Sequence, residues 1–270
     1  MRPVLIVIFL TVSTTAQALE LKSEATRATL LELYTSEGCN SCPPADRWFS
    51  GLETHPRLWK DLVPVAFHVD YWNYLGWEDR FASPTYAKRQ RSFKAQGAAR
   101  AVYTPGVMAL GQEWRAWRSP RSTIPASAER PGVLSATLEG QQLTARFESS
   151  TEDIKNPELH VAVLGFGLKT PVNAGENRGE LLEHDFVVLG YLKAPGPGPW
   201  EVSLPNAPYA MQASRLALAA WISQPGRVQS LQAVGGWLPS DRPENTAGLS
   251  DASSEPRYAY PGLRVELEAE

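Results

Sequence analysis

Apolar residues run almost unbroken through residues 62–72, LVPVAFHVDYW, the pattern of a strand covered on both faces. A shorter run of the same kind, TLLELY at 29–34, predicts a second strand. Between them ADRWFSGLETH places Trp48 and Leu52 at helical spacing with Phe49 alongside, and His55-Pro56 stops the helix. SPTYAKRQRSFKAQG predicts another helix, with Ser83 as N-cap, Pro84 at the first helical position and Gly97 closing it. AVYTPGVMALGQEWRAWR then reads as two short strands joined at a Gly-Gln turn. The order strand–helix–strand–helix–strand–strand predicts a compact α/β unit over residues 25–128 that ends in a hairpin.

The pattern changes near residue 119. SPRSTIPASAERPG is rich in Pro and Ser and marks a boundary near Pro131. Beyond it, GVLSATLEGQQLTARFES, ELHVAVLGFGL, LLEHDFVVLGYLKA, SRLALAAWIS and RVQSLQAVGGW follow one another, separated by turn signals such as Glu139-Gly140 and Pro225-Gly226. Short strands punctuated in this way predict a β-sandwich over 131–238. YAMQASRLALAA has a competing helical reading from its alanines, which the turn at Pro225-Gly226 opposes. Residues 239–270 are polar, acidic and rich in Pro and Ser, and predict a flexible tail.

The amino terminus sets the expected compartment. Arg2, a nine-residue apolar stretch from Val4 to Val12 and the closing Ala16-Gln17-Ala18 have the layout of a cleavable signal peptide over residues 1–18. The apolar stretch is shorter than the roughly 20 residues that a membrane span needs. The expected product is therefore periplasmic or secreted, with no stable membrane span after cleavage. A formal charge of −3 argues against a nucleic-acid partner, which calls for clustered positive charge. Lys88, Arg89, Arg91, Lys94 and Arg100 do cluster, and they read as a solvated helix face.

Both cysteines lie in one loop, YTSEGCNSCPP, as Cys39-Asn40-Ser41-Cys42. A c-type haem attachment needs His directly after the second cysteine, and Pro43 stands there. Structural zinc needs more ligands than a lone pair supplies, and His55, His68, His160 and His184 are scattered. A structural disulfide across so small a ring adds little by chain entropy. Copper(I) held by the two thiolates stays open as an alternative cofactor. The remaining reading is a redox pair where a strand passes into a helix, with Cys39 as nucleophile and Cys42 as resolving thiol, exchanging with protein thiols and disulfides. Pro43 and Pro44 remove two helix N–H donors and Glu37 adds negative charge, so Cys39 is expected to be less acidic than the thiol of a strong oxidant.

The pair after a strand, together with Thr104-Pro105 introducing a later strand, resembles the thioredoxin-fold superfamily. LELYTSEGCNSCPPAD, FHVDYWNYLGW, YTPG and the Gly175–Gly179 segment together resemble, more narrowly, an uncharacterised secreted thioredoxin-like family with a β-rich second half. That resemblance implies an α/β thioredoxin-like domain followed by an all-β sandwich-like domain. It implies also that Pro105 is cis and, with Thr104, shapes a site for an extended peptide beside Cys39. Gly38 replaces the Trp usual before the first cysteine, and Glu32 sits one step off the usual acidic position. Glu32 is then either a proton acceptor for Cys42 or a strand-edge charge.

Tyr71, Trp72, Tyr74, Trp77 and Phe81 crowd into eleven residues. They read as a roof over the thiols, with Trp72 and Trp77 touching a substrate peptide, or as packing between two domains. His184 beside Asp185 reads as a surface histidine, and Asn177, Arg178 and Gly179 as turn chemistry. A non-catalytic protein-binding module is the remaining alternative.

Overall fold

The computed structural model describes residues 18–154 and 156–239. Almost all of the expected signal peptide and acidic tail, 1–17 and 240–270, lie outside the described residues. The first half begins with strand β1 (Leu19–Lys22), β2 (Thr29–Thr35) and helix α1 (Pro43–Ser50). There follow β3 (Leu62–His68), α2 (Pro84–Ala95) and the hairpin of β4 (Gly106–Ala109) and β5 (Gln112–Glu113). Local chemistry accounts for both helices. Pro43 and Pro44 occupy the first turn of α1, and the Ser83 hydroxyl caps α2 by accepting from the Thr85 amide at 3.2 Å.

The second half is built of β6 (Gly132–Glu139), β7 (Gln142–Ser149), β8 (Glu158–Phe166), β9 (Leu168–Pro171) and β10 (Leu181–His184). These are followed by β11 (Val187–Pro195), β12 (Trp200–Ser203), β13 (Arg215–Ser223) and β14 (Ser230–Trp237). The alanine-rich stretch is mostly strand β13, preceded by a single 3-10 turn over Ala210–Gln212.

The pairing corrects the expected fold class. An eight-stranded sheet runs β14-β13-β8-β11-β3-β2-β4-β5 and takes strands from both sides of residue 131. Its seam is β11 against β3, parallel, with Val187 opposite Ala66 and the Ala66 amide donating to the Phe186 carbonyl at 2.8 Å. A four-stranded sheet, β1-β6-β7-β12, and a two-stranded ribbon, β9-β10, complete the fold. Among the described residues there are fourteen strands and two α-helices, so the protein is β-rich rather than an α/β thioredoxin-like domain joined to a sandwich.

The physical reason lies in β8 and β13, which are buried along nearly their whole length. Side chains alternate across a strand. Ala162, Leu164 and Phe166 of β8, with Ala217, Ala219 and Trp221 of β13, enter one core that also holds Phe49 and Phe93 of the helices. Leu159, Val161 and Val163, with Leu216, Leu218 and Ala220, enter another, shared with Leu134 and Leu143 of the smaller sheet. Fully burying one such side chain stabilises by about 1.5–3 kcal/mol. A strand with two apolar faces gains both contributions only in the middle of a sheet covered on both sides.

The basic helix face is corrected at one position. Arg89 is buried, and its guanidinium meets Glu32 of β2 through two hydrogen bonds, Nε to Oε2 at 2.7 Å and a terminal nitrogen to Oε1 at 2.8 Å. It also lies over the rings of Phe67, Phe93 and Trp221. The Tyr34 hydroxyl donates to the same carboxylate at 2.8 Å. Lys88, Arg91, Lys94 and Arg100 are exposed.

Candidate functional site: a buried dithiol closed by the β9–β10 ribbon

Strand β2 ends at Thr35, and the loop that leaves it turns twice before α1. The Cys39 amide donates to the Ser36 carbonyl and the Cys42 amide to the Cys39 carbonyl. Cys42 is the N-cap of α1, and its carbonyl accepts from the Ala45 and Asp46 amides. With prolines at the first two helical positions, these are the only N–H groups of the first three-residue turn and its successor, and both are taken. Whatever stabilises a thiolate here therefore comes from side chains and the loop, not from free N–H groups of the helix terminus.

Both cysteines are free thiols and both are buried, Cys39 at 1% and Cys42 at 0% exposure. Their surroundings divide them. A hydrogen bond from Cys42 lowers the Cys39 thiol; burial opposes it, while Ser41 and Thr104 add further donors, leaving Cys39 at about 6. The Ser41 hydroxyl lies 3.2 Å from the sulfur. Burial raises the Cys42 thiol well above the usual range, and its hydrogen bond to Cys39 and the Asp46 charge push the same way. Cys39 is thus more acidic than an ordinary thiol, and neighbouring side chains supply what the helix terminus does not.

The Thr104-Pro105 peptide is cis, and the Thr104 side chain is a hydrogen-bonding neighbour of Cys39. Trp72 donates from Nε1 to the Thr104 hydroxyl at 2.7 Å, and its Cβ lies 3.0 Å from where a Cβ on Gly38 would sit. A larger residue at position 38 would therefore displace this indole. Trp77 donates to Glu37 Oε2 at 2.9 Å, Tyr71 to Gln90 at 3.0 Å, and Tyr74 projects into solvent. The aromatic segment both packs and covers: Phe81 is in the second core, and Trp72 closes over the loop.

The ribbon supplies the other wall. Asn177, in the turn between β9 and β10, is buried and donates to the carbonyls of Glu37 at 2.7 Å and Cys39 at 3.0 Å. Glu176 accepts from the Asn40 amide at 3.1 Å. Asn177 is more than turn chemistry: it ties the cysteine loop to a segment about 140 residues away. In Asn177→Ala two buried carbonyls lose their donor, and urea unfolding of the reduced protein should show a loss of about 1–3 kcal/mol. A loss below about 0.5 kcal/mol would mean that the loop holds its shape without the ribbon.

Beneath the loop lies a set of buried ionisable groups. His68 Nδ1 and Asp79 Oδ2 are 2.7 Å apart, and the Glu37 amide donates to the same Asp79 oxygen. Burial alone would raise the Asp79 carboxyl and lower the His68 imidazole; their mutual attraction outweighs it and shifts each the other way. His184 is buried, not a surface histidine, with its ring 4.9 Å from that of His68 and nearly perpendicular to it. Its Nε2 lies 3.5 Å from Glu37 Oε1 and its Nδ1 lies 3.9 Å from Asp46 Oδ2. Burial raises the Asp46 carboxyl against the pull of both histidines.

Glu32 is not in this set. Alternation along β2 puts it on the opposite face from Thr35, and the Arg89 ion pair engages both its oxygens. This removes it as the proton acceptor for Cys42. Asp46, His68, Asp79 and Asn177 were not singled out from sequence as parts of the site, and His184 was set aside. The CPPAD spacing was the available signal for Asp46, one helical turn after Cys42.

A cavity of about 640 Å³ lies elsewhere, between Trp48, Trp114, Trp117 and Arg118, and neither cysteine lines it. Among the described residues no group of three or more His, Cys, Asp or Glu is placed to hold a metal ion.

Fold and site together define a β-rich protein whose strand-to-helix loop carries a buried, unequal pair of thiols clamped by a β-ribbon. Residues 30–223 match the family described as "Protein of unknown function (DUF1223)", and the chain belongs to that family. A crystal structure of an Agrobacterium tumefaciens protein shares the fold, with a TM-score of 0.52 and 21% identity over 85% of this chain and 100% of that one. HBP35 of Porphyromonas gingivalis gives a TM-score of 0.47 and 14% identity, over 86% of this chain and 82% of that one. None of the curated proteins matches.

Proposed function

We propose that this protein exchanges thiols and disulfides with other proteins through Cys39 and Cys42. The observation that carries the reading is the inequality of the two sulfurs, one drawn down to about 6 and the other held up by burial. A thiolate is the attacking species, and a neighbour that keeps its proton until it is needed is a resolving thiol. Cys39 attacks the partner disulfide, Cys42 displaces the partner, and Thr104, Pro105 and Trp72 form the wall along which the partner chain lies. Trp77 acts behind that wall, holding Glu37.

Because Cys39 is 1% exposed, the partner reaches it when the Trp72–Thr104 hydrogen bond opens. The amino-terminal leader pattern supports a site of exchange outside the cytoplasm, where disulfides persist.

The test is trapping. Reduced wild-type protein should reduce a protein disulfide such as insulin and end as the Cys39–Cys42 disulfide. Cys42→Ser should stop at a stable mixed disulfide through Cys39, and Cys39→Ser should form none. If Cys42→Ser yields no adduct with any protein disulfide from acid to alkaline pH, the exchange reading is wrong.

A further inference from the structure

Around the first turn of α1 the buried polar atoms are loosely held: Glu37 Oε1 and His184 Nε2 face each other only at 3.5 Å, and His68 Nε2 has no hydrogen-bond partner. Thr35 faces Cys42 and Asp46 together, and hydrogen bonding to its hydroxyl favours the ionised form of each. Polar atoms this deeply buried are normally paired, since each unpaired one costs about 1–3 kcal/mol. A loosely held set of carboxylates and imidazoles beside a reactive sulfur has room to take up a small species. A proton is the smallest candidate, and the carboxylates and imidazoles are the groups that take one.

The cluster also reaches solvent. A cleft of about 190 Å³ opens between α1 and β10, lined by Pro43, Asp46, Arg47, Leu182, Glu183 and His184 among others. Asp46 and His184 thus belong both to the buried set and to the wall of the cleft. His184 sits between Asp46 on one nitrogen and Glu37 on the other.

We propose that Asp46 accepts the proton that Cys42 gives up, and that His184 carries it between the buried cluster and this cleft. The proposal rests on the thiol–disulfide reading and deepens it. In the first step the Cys39 thiolate attacks the partner disulfide, a Cys39–partner S–S bond forms, and one partner sulfur leaves as thiolate. In the second, the Cys42 S–H proton passes to the Asp46 carboxylate and the new thiolate attacks Cys39 Sγ. The Cys39–Cys42 bond forms and the second partner sulfur leaves. The protein is oxidised by two electrons, the partner disulfide is reduced by two, and the Cys42 proton leaves by His184.

Asp46 is faced by Cys42 on its own turn, Thr35 from β2, His68 from β3, His184 from β10 and Asp79 from the loop before α2. Arg47 and Glu183 stand at the cleft. His68 is held by Asp79 at 2.7 Å and acts as a fixed neighbour in this scheme, not as the carrier. Burial that raises the Asp46 carboxyl brings it nearer a thiol in basicity, which favours transfer.

An aromatic disulfide of the Ellman type separates the steps without any protein partner. The first thionitrobenzoate released reports attack by Cys39, and the second reports displacement of the adduct by Cys42. In Asp46→Asn and His184→Gln the second release should slow at least about tenfold at pH 7, the first should stay within about twofold, and the deficit should shrink toward alkaline pH. Removing the Asp46 charge by itself makes Cys42 more acidic, so a purely electrostatic role would speed the second release instead.

In wild-type protein the second release should fall as acid titrates one group above the ordinary carboxylate range. Should the variants fail to fold, this profile alone decides the matter. The proposal is overturned if Asp46→Asn displaces the adduct as fast as wild type, if both releases slow alike, or if the wild-type profile follows thiol ionisation alone. A chain inactive on insulin that still shows the two releases and their dependence on Asp46 would sink the exchange function and leave the proton route standing.

Discussion

Arg89→Met destabilises the protein by about 3–5 kcal/mol, read as a shift in urea midpoint with an unchanged slope. The substitution keeps an unbranched apolar stem and gives up the guanidinium that lies over Phe67, Phe93 and Trp221. What it removes is the partner of Glu32, which is 1% exposed on the central strand β2 and left with the Tyr34 hydroxyl. A carboxylate buried beside a single neutral donor bears most of its desolvation cost uncompensated. Glu32→Met with Arg89→Met should recover much of the loss, because replacing a buried pair by apolar groups is often close to neutral. A double variant as unstable as the single one would show that the pair also contributes packing that methionine cannot reproduce.

The second large effect is on the dithiol itself. Cys39 moves from the usual 9.0 to about 6 in the folded reduced protein, and Cys42 moves up. A thiol depressed by folding stabilises the folded form above its unfolded pKa, and the contribution is lost as pH falls through the folded value. Between pH 9 and pH 6 the reduced protein should lose up to about 4 kcal/mol relative to the oxidised protein, which has neither thiol to titrate. Cys42 acts in the opposite sense above pH 9, where the unfolded thiol ionises and the folded one does not.

Redox equilibria should report the same inequality. Reduction of the disulfide between pH 6 and 9 takes up two electrons and one proton, so the midpoint potential should fall by about 30 mV per pH unit, steepening to about 59 mV below pH 6. A slope of about 59 mV throughout would mean that both thiols stay protonated to pH 9 and that Cys39 is not acidic.

Part of this was legible in the residues. The Cys39–Cys42 spacing, the proline after Thr104 and the Ser83 cap of α2 are local signals, each decided by neighbours within a few positions. The seam of the large sheet is not local. The unbroken apolar runs of β8 and β13 announce that both faces are covered, but not by what, and only the pairing of Val187 with Ala66 says that they extend the sheet of β2 and β3. Alternation already set Glu32 apart from Leu31 and Leu33, and finding its partner required knowing that Arg89 turns inward from a helix that is otherwise basic and exposed. His184 reads as a surface histidine for the same kind of reason, since a four-residue strand gives no sign of which element covers it.

Because the wall of the thiol loop is delivered by Asn177 and His184, assembly on the ribosome has an order imposed on it. At about 5–20 residues per second, the two sulfurs emerge several seconds before the segment that shields them. During that interval the nascent chain carries a vicinal pair of thiols without its Asn177 clamp and without His184. The closing of the loop by Asn177 is therefore a property of the completed polypeptide, acquired only once the ribbon has docked.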